Sequence, residues 1–250
     1  MSGHSKWHNI RLRKGKVDAQ RGALFTKLSK EIILAVRGGS PDPEANYRLK
    51  MAMEKARANN MPRENIARAV ARGSGSGNER EIEEIRYEGH GPHGLAVIAD
   101  AATDNRNRTA GELRFLFQKQ KGILGETGSV GWMFDRLGIV EVDTTGSDED
   151  GFLERALIDG VIDIEFGEPD ATLYCEIEAL RNVREALGAA GFTVRDAYLG
   201  VRAKNPIALE GEALGQALAF YDALEEHPDI VRVYMNFDVS EAALEELAVG

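Results

Sequence analysis

The sequence predicts an α+β, multidomain protein, in which an N-terminal three-helix domain with a basic arm is followed by two ferredoxin-like α/β domains, one inserted in the other. Apolar residues recur at helical spacing through the first part of the chain, and after residue 80 alternating strand patterns appear between helical segments. The charge reverses at the same place. Residues 1–80 hold 17 Lys/Arg against 7 Asp/Glu, whereas residues 81–250 hold 14 against 34.

The first segment, residues 1–16, has few apolar residues and predicts an extended arm. A helix is expected over residues 17–37, where leucine and isoleucine side chains fall on one face, and Gly38 ends it. A second helix is expected to begin at Asp42 as N-cap, with Pro43 in its first position.

A third helix is predicted between Pro62 and Gly73, followed by the linker GSGSGN over residues 73–78. The strands IEEIRYEG and GLAVIADAA then flank the turn HGPH. A helix is expected over residues 109–121, with Thr109 and Glu112 forming a capping box, and SVGWMF reads as a third strand.

Residues 135–205 show the order strand, helix, strand, strand, helix, strand, which is typical of a ferredoxin-like domain. A helix over residues 210–227 and the strand DIVRVYMNFDV follow. The expected domains are therefore a basic helical domain (1–80), an α/β domain formed by 81–134 and 206–250, and an inserted α/β domain (135–205).

The composition excludes several classes of protein. No apolar stretch is long enough to span a bilayer, and no apolar run follows the basic N-terminus as in a secretory signal. The single cysteine, Cys175, lies in an alternating segment typical of a buried strand and is consistent with a reducing compartment. A cytoplasmic protein without a membrane partner is expected.

The basic N-terminal segment is the first candidate nucleic-acid-binding site, since flexible cations can each reach a phosphate oxygen and an aromatic ring can stack on a base. The alternative is a solvated tail with Trp7 packed against the helices. The candidate residues are Lys6, Trp7, Arg11, Arg13, Lys14, Lys16 and Arg21 in the arm and its continuation, and Lys27, Lys30 and Arg37 on the outer helix face.

The segment TDNRNRTAGE, residues 103–112, is the second candidate. Arg106 and Arg108 directly precede the predicted helix, whose free N–H groups favour an anion. The two guanidinium groups could hold a phosphate, or they could pair with nearby carboxylates; the spacing does not decide between these alternatives.

Catalytic and cofactor chemistry have little support. The glycine-rich segments YEGHGPHGL and GETGSVGW lack the strand-to-helix context of a nucleotide loop, and the histidine pairs lack a third metal ligand. No catalytic residue, metal, cofactor or small-molecule substrate is therefore expected. A metal-dependent nuclease and a pure protein-interaction module remain as lesser alternatives.

The chain resembles the YebC family of bacterial proteins, which has mitochondrial relatives. The segments that carry the resemblance span nearly the whole chain and are GHSKWHNI (3–10), KVDAQRGALFTKLSKEI (16–32), YEGHGPHGLAVI (87–98), TDNRNRT (103–109), LGETGSVGWMFDR (124–136) and VYMNFDV (233–239). His90, His93 and Met235 depart from the usual family pattern.

This resemblance implies three domains, the last inserted into the second, with no catalytic residues and no cofactor. It also implies a non-enzymatic regulator of gene expression, DNA-binding and acting in transcription by the family label. Some members are instead regarded as translation factors at the ribosome, so ribosomal RNA binding and translation regulation are the alternative. DNA or ribosomal RNA, with the ribosome itself, are the partners that the resemblance suggests.

Overall fold

The computed structural model describes residues 19–76, 80–167, 169–239 and 243, with side chains from residue 22. Two compact units are present. One falls within Lys16–Gly131 and Gly215–Met235, and the other contains Trp132–Leu214 and continues from Asn236. The domain boundaries expected from the sequence stay predictions. In the described ranges, no helix is long and apolar enough to cross a membrane.

The elements confirm the α+β class. The helices are α1 (Ala19–Arg37), α2 (Tyr47–Ala58), α3 (Arg63–Gly73), α4 (Arg106–Lys119), α5 (Glu149–Ala156), α6 (Leu180–Ala189) and α7 (Gly211–Glu225). The strands are β1 (Glu83–His90), β2 (Ala96–Thr103), β3 (Ile123–Leu124), β4 (Phe134–Asp143), β5 (Val161–Glu165), β6 (Asp170–Cys175), β7 (Val194–Ala203), β8 (Ile207–Leu209), β9 (Ile230–Met235) and β10 (Phe237–Val239).

Helix α2 begins later than the sequence predicted. Its N-cap is Asn46, whose side-chain oxygen accepts from the Leu49 N–H at 3.1 Å. The Asn46 amide also donates to the carbonyl of Ala35 at 2.8 Å, which ties the cap to α1. The predicted start at Asp42 was wrong because Asp42 forms a turn instead, accepting from the Ala45 N–H at 3.1 Å.

Helices α1–α3 share one core with the sheet that follows them. Leu28, Ile32 and Leu49 are almost fully buried in this core, which also contains Ile82 and Ala102 from the sheet region. Burial of such side chains is the main favourable term in folding. The three helices are therefore held against the sheet, although a glycine-rich segment connects them to it.

The first unit contains a four-stranded antiparallel sheet with the order β3-β1-β2-β9. Helices α4 and α7 meet through Phe117 and Phe220, whose rings contact edge to face with centroids 4.9 Å apart. Glycines let these rings approach the sheet: a Cβ at Gly89 would lie 2.7 Å from the Phe117 ring, and one at Gly91 would lie 2.7 Å from the Phe220 ring.

The predicted strand SVGWMF was wrong. Ser129 and Val130 lie in a bend, a short 3₁₀ turn covers Gly131–Met133, and Phe134 opens β4. The sheet instead gains the two-residue strand β3. The predicted strand DIVRVYMNFDV is interrupted at Asn236, so that β9 and β10 belong to different sheets.

The second unit has the expected ferredoxin-like sheet. The order β5-β6-β4-β7 is antiparallel throughout, with α5 and α6 as the two connections of the split βαβ pattern. Strands β8 and β10 pair in parallel in this unit. Cys175 is fully buried at the end of β6, and burial raises the pKa of its thiol to about 11, as suits a structural rather than a reactive thiol.

Candidate nucleic-acid interface

The arm residues Lys6, Trp7, Arg11, Arg13, Lys14 and Lys16 lie outside the described residues. Arg21 lies in α1, and its side chain is likewise outside the described part. The roles suggested for these residues therefore stay predictions.

Cations of α1 contact the α/β part of the same unit. The Lys27 ammonium donates to the carbonyl of Glu225, and Arg37 donates to the Ile82 carbonyl at 3.1 Å and to Glu81 at 3.3 Å. Lys30 donates to the Pro228 carbonyl at 2.9 Å and to the Asp229 carboxylate at 2.5 Å. Any phosphate contact by these three side chains would have to replace or share an internal hydrogen bond.

Asp229 is the centre of this contact region. Its side chain is 5% exposed, and it accepts from Lys30, from the Thr109 hydroxyl at 2.6 Å and from the Arg108 guanidinium at 2.8 Å. Burial alone would raise the pKa of Asp229, but the hydrogen bonds from Lys30, Thr109 and Arg108 outweigh burial and hold that pKa well below its usual range. Sequence reasoning missed Asp229, because its partners lie far from it along the chain.

Arg108 and Arg106 have different surroundings. Arg108 binds Asp229 and also Asp104, at 3.0 Å, so it forms the carboxylate pairs that the sequence had left as an alternative. Arg106 is exposed, and within the described residues it forms no ion pair. Its backbone carbonyl accepts from the Tyr87 hydroxyl at 3.2 Å. The nucleic-acid role suggested for both arginines stays a prediction.

Both arginines lie inside α4 rather than before it, which corrects the predicted helix start. Asn105 is the N-cap, with its side chain accepting from the Arg108 N–H at 3.2 Å. Thr109 is fully buried and turns its hydroxyl to Asp229, so it forms no capping box with Glu112. The free N–H groups of the first turn thus belong to Arg106, Asn107 and Arg108, of which Arg108 is capped.

Glu112 binds His227 instead. The His227 Nδ1 accepts from the Asp229 N–H at 3.1 Å, so a neutral ring carries its proton on Nε2 and donates it to Glu112 at 3.0 Å. Glu112, His227 and Asp229 offer ligand atoms within 4.8 Å of one another. This set is a poor metal site, since Lys30 and Arg108 already neutralise Asp229 and would repel a metal ion.

The GETGSVGW loop is organised by an internal anion. Glu88 is 5% exposed and accepts from the N–H groups of Gly128 and Val130, each at 2.9 Å, and of Gly131 at 2.6 Å. Burial alone would raise the pKa of Glu88, but these three backbone hydrogen bonds lower it. The backbone donors that could have cradled a phosphate are occupied by this carboxylate.

Positive charge is concentrated around α4 within the acidic part of the chain. Residues 105–122 hold five of the 14 Lys/Arg found in residues 81–250 and only one carboxylate, Glu112. Phe115 lies on the outer face of α4 with 64% of its surface exposed. Sequence reasoning missed Phe115, Arg114 and Lys119; the local clustering of positive charge was the signal that could have found them.

Two family models match this chain, one on each side of residue 80, where the charge reverses. Residues 5–76 match the model of the TACO1/YebC protein N-terminal domain, and residues 82–237 match that of the TACO1/YebC second and third domain. The chain belongs to the TACO1/YebC family. This confirms the resemblance that the sequence motifs indicated.

Relatives from several bacteria match over nearly their full length. A protein of Chloroflexus aggregans named "Probable transcriptional regulatory protein" is 47% identical, with 98% of each chain covered. A protein of Rubrobacter xylanophilus with the same name is 44% identical, covering 99% of this chain and all of the relative. The crystal structure of a conserved hypothetical protein from Aquifex aeolicus matches with a TM-score of 0.86 and 41% identity, covering 90% of this chain and 93% of that one.

Proposed function

We propose that this protein is a non-enzymatic nucleic-acid-binding regulator of gene expression. The observation that carries the proposal is the charge division, since the N-terminal 80 residues hold a net charge of +10 (17 minus 7) while residues 81–250 hold −20 (14 minus 34). Such a division lets one end approach a polyanion while the rest is repelled from it. DNA is the first candidate target, because the relatives are named as probable transcriptional regulatory proteins.

Ribosomal RNA is the second candidate target, and one structural feature favours it. The exposed Phe115 lies among cations on α4, and RNA-binding proteins commonly stack aromatic side chains on unpaired bases. Binding to the ribosome would make the protein a translation factor rather than a transcription factor.

Crosslinking in cells, followed by sequencing of both the bound DNA and the bound RNA, tests the proposal and separates the two targets. Enrichment of promoter fragments supports transcriptional regulation, and enrichment of ribosomal RNA supports a role in translation. Recovery of neither nucleic acid above the level of an unrelated acidic protein of similar size would overturn the proposal.

A further inference from the structure

Helix α4 presents an outer face with an unusual combination of side chains. Six exposed residues on one side of the helix are called the α4 face below: Asn107, Gly111, Arg114, Phe115, Gln118 and Lys119. Arg108 and Glu112 are also exposed at the edge of this face, where they pair with Asp229 and His227. The opposite side carries the fully buried Thr109, Leu113 and Phe117. The helix is thus anchored by one side, and among the described residues the α4 face is exposed to solvent.

The cations at this face have no ion-pair partner among the described residues. Within the described ranges, Arg114, Lys119 and the adjacent Lys121 form no ion pair, in contrast to Arg108, which binds two aspartates on the flank of the same helix. Unpaired cations beside an exposed ring, in a part of the chain with a net charge of −20, indicate an anionic partner with flat apolar groups.

The backbone around Phe115 also departs from what stability favours. Gly111 lies one turn before Phe115 on the same face, and a Cβ there would meet no atom within 4 Å. Glycine inside a helix is less stable than alanine, so packing does not explain it. The missing side chain leaves open surface beside the Phe115 ring.

Lys121 is a second residue that is less favourable for stability than the usual choice at its position. It follows the helix in the left-handed conformation, with φ 59°, while the Gly122 N–H closes the helix end on the Phe117 carbonyl at 2.7 Å. Glycine is the usual residue at this position of a helix end, because a Cβ is strained there. A lysine at this strained position places one more cation beside the α4 face.

We propose that the α4 face, together with Lys121, is a binding surface for unpaired nucleotides, on which a base stacks against Phe115 while Arg114, Lys119 and Lys121 contact the flanking phosphates. This inference rests on the proposed nucleic-acid function and adds the position and chemistry of a second contact. Phosphates attract the cations, and an unpaired base offers the exposed ring a stacking partner.

The test uses the full-length chain and a labelled single-stranded RNA of about 15 nucleotides, with the duplex of the same sequence as a second probe. Phe115→Ala should weaken single-strand binding about 5- to 150-fold, the effect of losing one stacked base, and leave duplex binding within about twofold. Leu157→Ala is the matched control, because Leu157 is 76% exposed in the other compact unit.

Arg114→Gln tests the phosphate contact. The slope of log affinity against log salt for the single strand should decrease by about 0.7, because the protein then neutralises one phosphate fewer. Arg136→Gln makes the same change at an exposed arginine of β4 and should leave the slope unchanged.

Lys121→Gly separates binding from folding. Removing the strained Cβ should keep or raise the melting temperature, while losing the cation should weaken binding of the single strand. Unchanged affinity of Phe115→Ala and Arg114→Gln, with wild-type protein bound to the probe, would overturn this inference alone. Wild-type protein that binds neither RNA probe would also overturn the inference, while the proposed function on which it rests is decided by the crosslinking experiment, in which recovery of DNA alone would still support it.

Discussion

At the scale of single residues, Asp229 shows how a buried charge can join distant parts of a chain. Its carboxylate holds Lys30 of α1 and Arg108 of α4, and its backbone N–H orients His227. An unpaired buried charge is strongly unfavourable, so these groups stabilise the unit only as a set.

Replacing Asp229 with Asn should therefore lower the free energy of unfolding by about 3 kcal/mol, because Lys30 and Arg108 lose their shared counter-charge. Chemical denaturation measures this change. Asp104→Asn is the matched control: Asp104 binds the same Arg108 nitrogen but has a side chain that is 37% exposed, so a loss below about 1 kcal/mol is expected. Equal losses for the two variants would show that the Asp229 network contributes no more than a surface pair.

The Asp229 carboxylate should also make the stability of the protein depend on pH. The pKa of Asp229 is lowered in the folded protein. The contribution of its charge to the free energy of unfolding is therefore fully present above the unfolded-state pKa of about 3.9, and it is lost progressively as the pH falls below that value. The difference in unfolding free energy between wild type and Asp229→Asn should therefore be constant between about pH 5 and 7 and shrink toward pH 3. A difference that grows on acidification would contradict the assigned direction of the shift.

At the scale of elements, the start of α4 depends on which side chain caps it. Asn105→Ala should lower the free energy of unfolding by about 1 kcal/mol, because the Arg108 N–H loses its acceptor. Asn107→Ala, two residues later and exposed, should be neutral or slightly stabilising, since alanine is the better helix former. Thermal and chemical denaturation of the two variants compares them directly, and the reverse order would argue against Asn105 as the cap.

The loop between α4 and β4 depends on Glu88 in a comparable way. Glu88→Gln should lower the free energy of unfolding by about 2 kcal/mol, because an amide oxygen cannot accept from all three N–H groups that the carboxylate satisfies. Faster hydrogen exchange at Gly128, Val130 and Gly131 would locate the effect in this loop. Glu126→Gln, at an exposed position of the same loop, serves as the control and should change neither quantity.

At the scale of the whole molecule, the charge division predicts how binding responds to salt. Deleting residues 1–16 removes Lys6, Arg11, Arg13, Lys14 and Lys16. The slope of log affinity for duplex DNA against log salt should then decrease by about 0.9 for each phosphate that the arm no longer neutralises. Affinity titrations at several salt concentrations measure it, and an unchanged slope in a truncated protein with wild-type circular dichroism would contradict a role for the arm.

Sequence alone determined the α+β class, the three N-terminal helices and the strand–helix order of the ferredoxin-like unit. These features follow from periodicity along the chain, which is a local property. Family membership followed from short motifs in the same local way. The predicted strand SVGWMF failed because a long-range carboxylate, Glu88, takes the N–H groups that a strand would have paired.

The tertiary structure decided which charged residues face each other. Lys30, Arg108 and Asp229 come from three distant segments, and their contacts depend on how α1 packs on the sheet, a relation that no spacing records. The sequence predicted Thr109 as a cap, but Thr109 is a buried partner of Asp229, and Asn105 caps the helix, which begins at Arg106. Phe117 and Phe115 are two residues apart, and only packing against Phe220 decided which ring is buried and which is left to solvent.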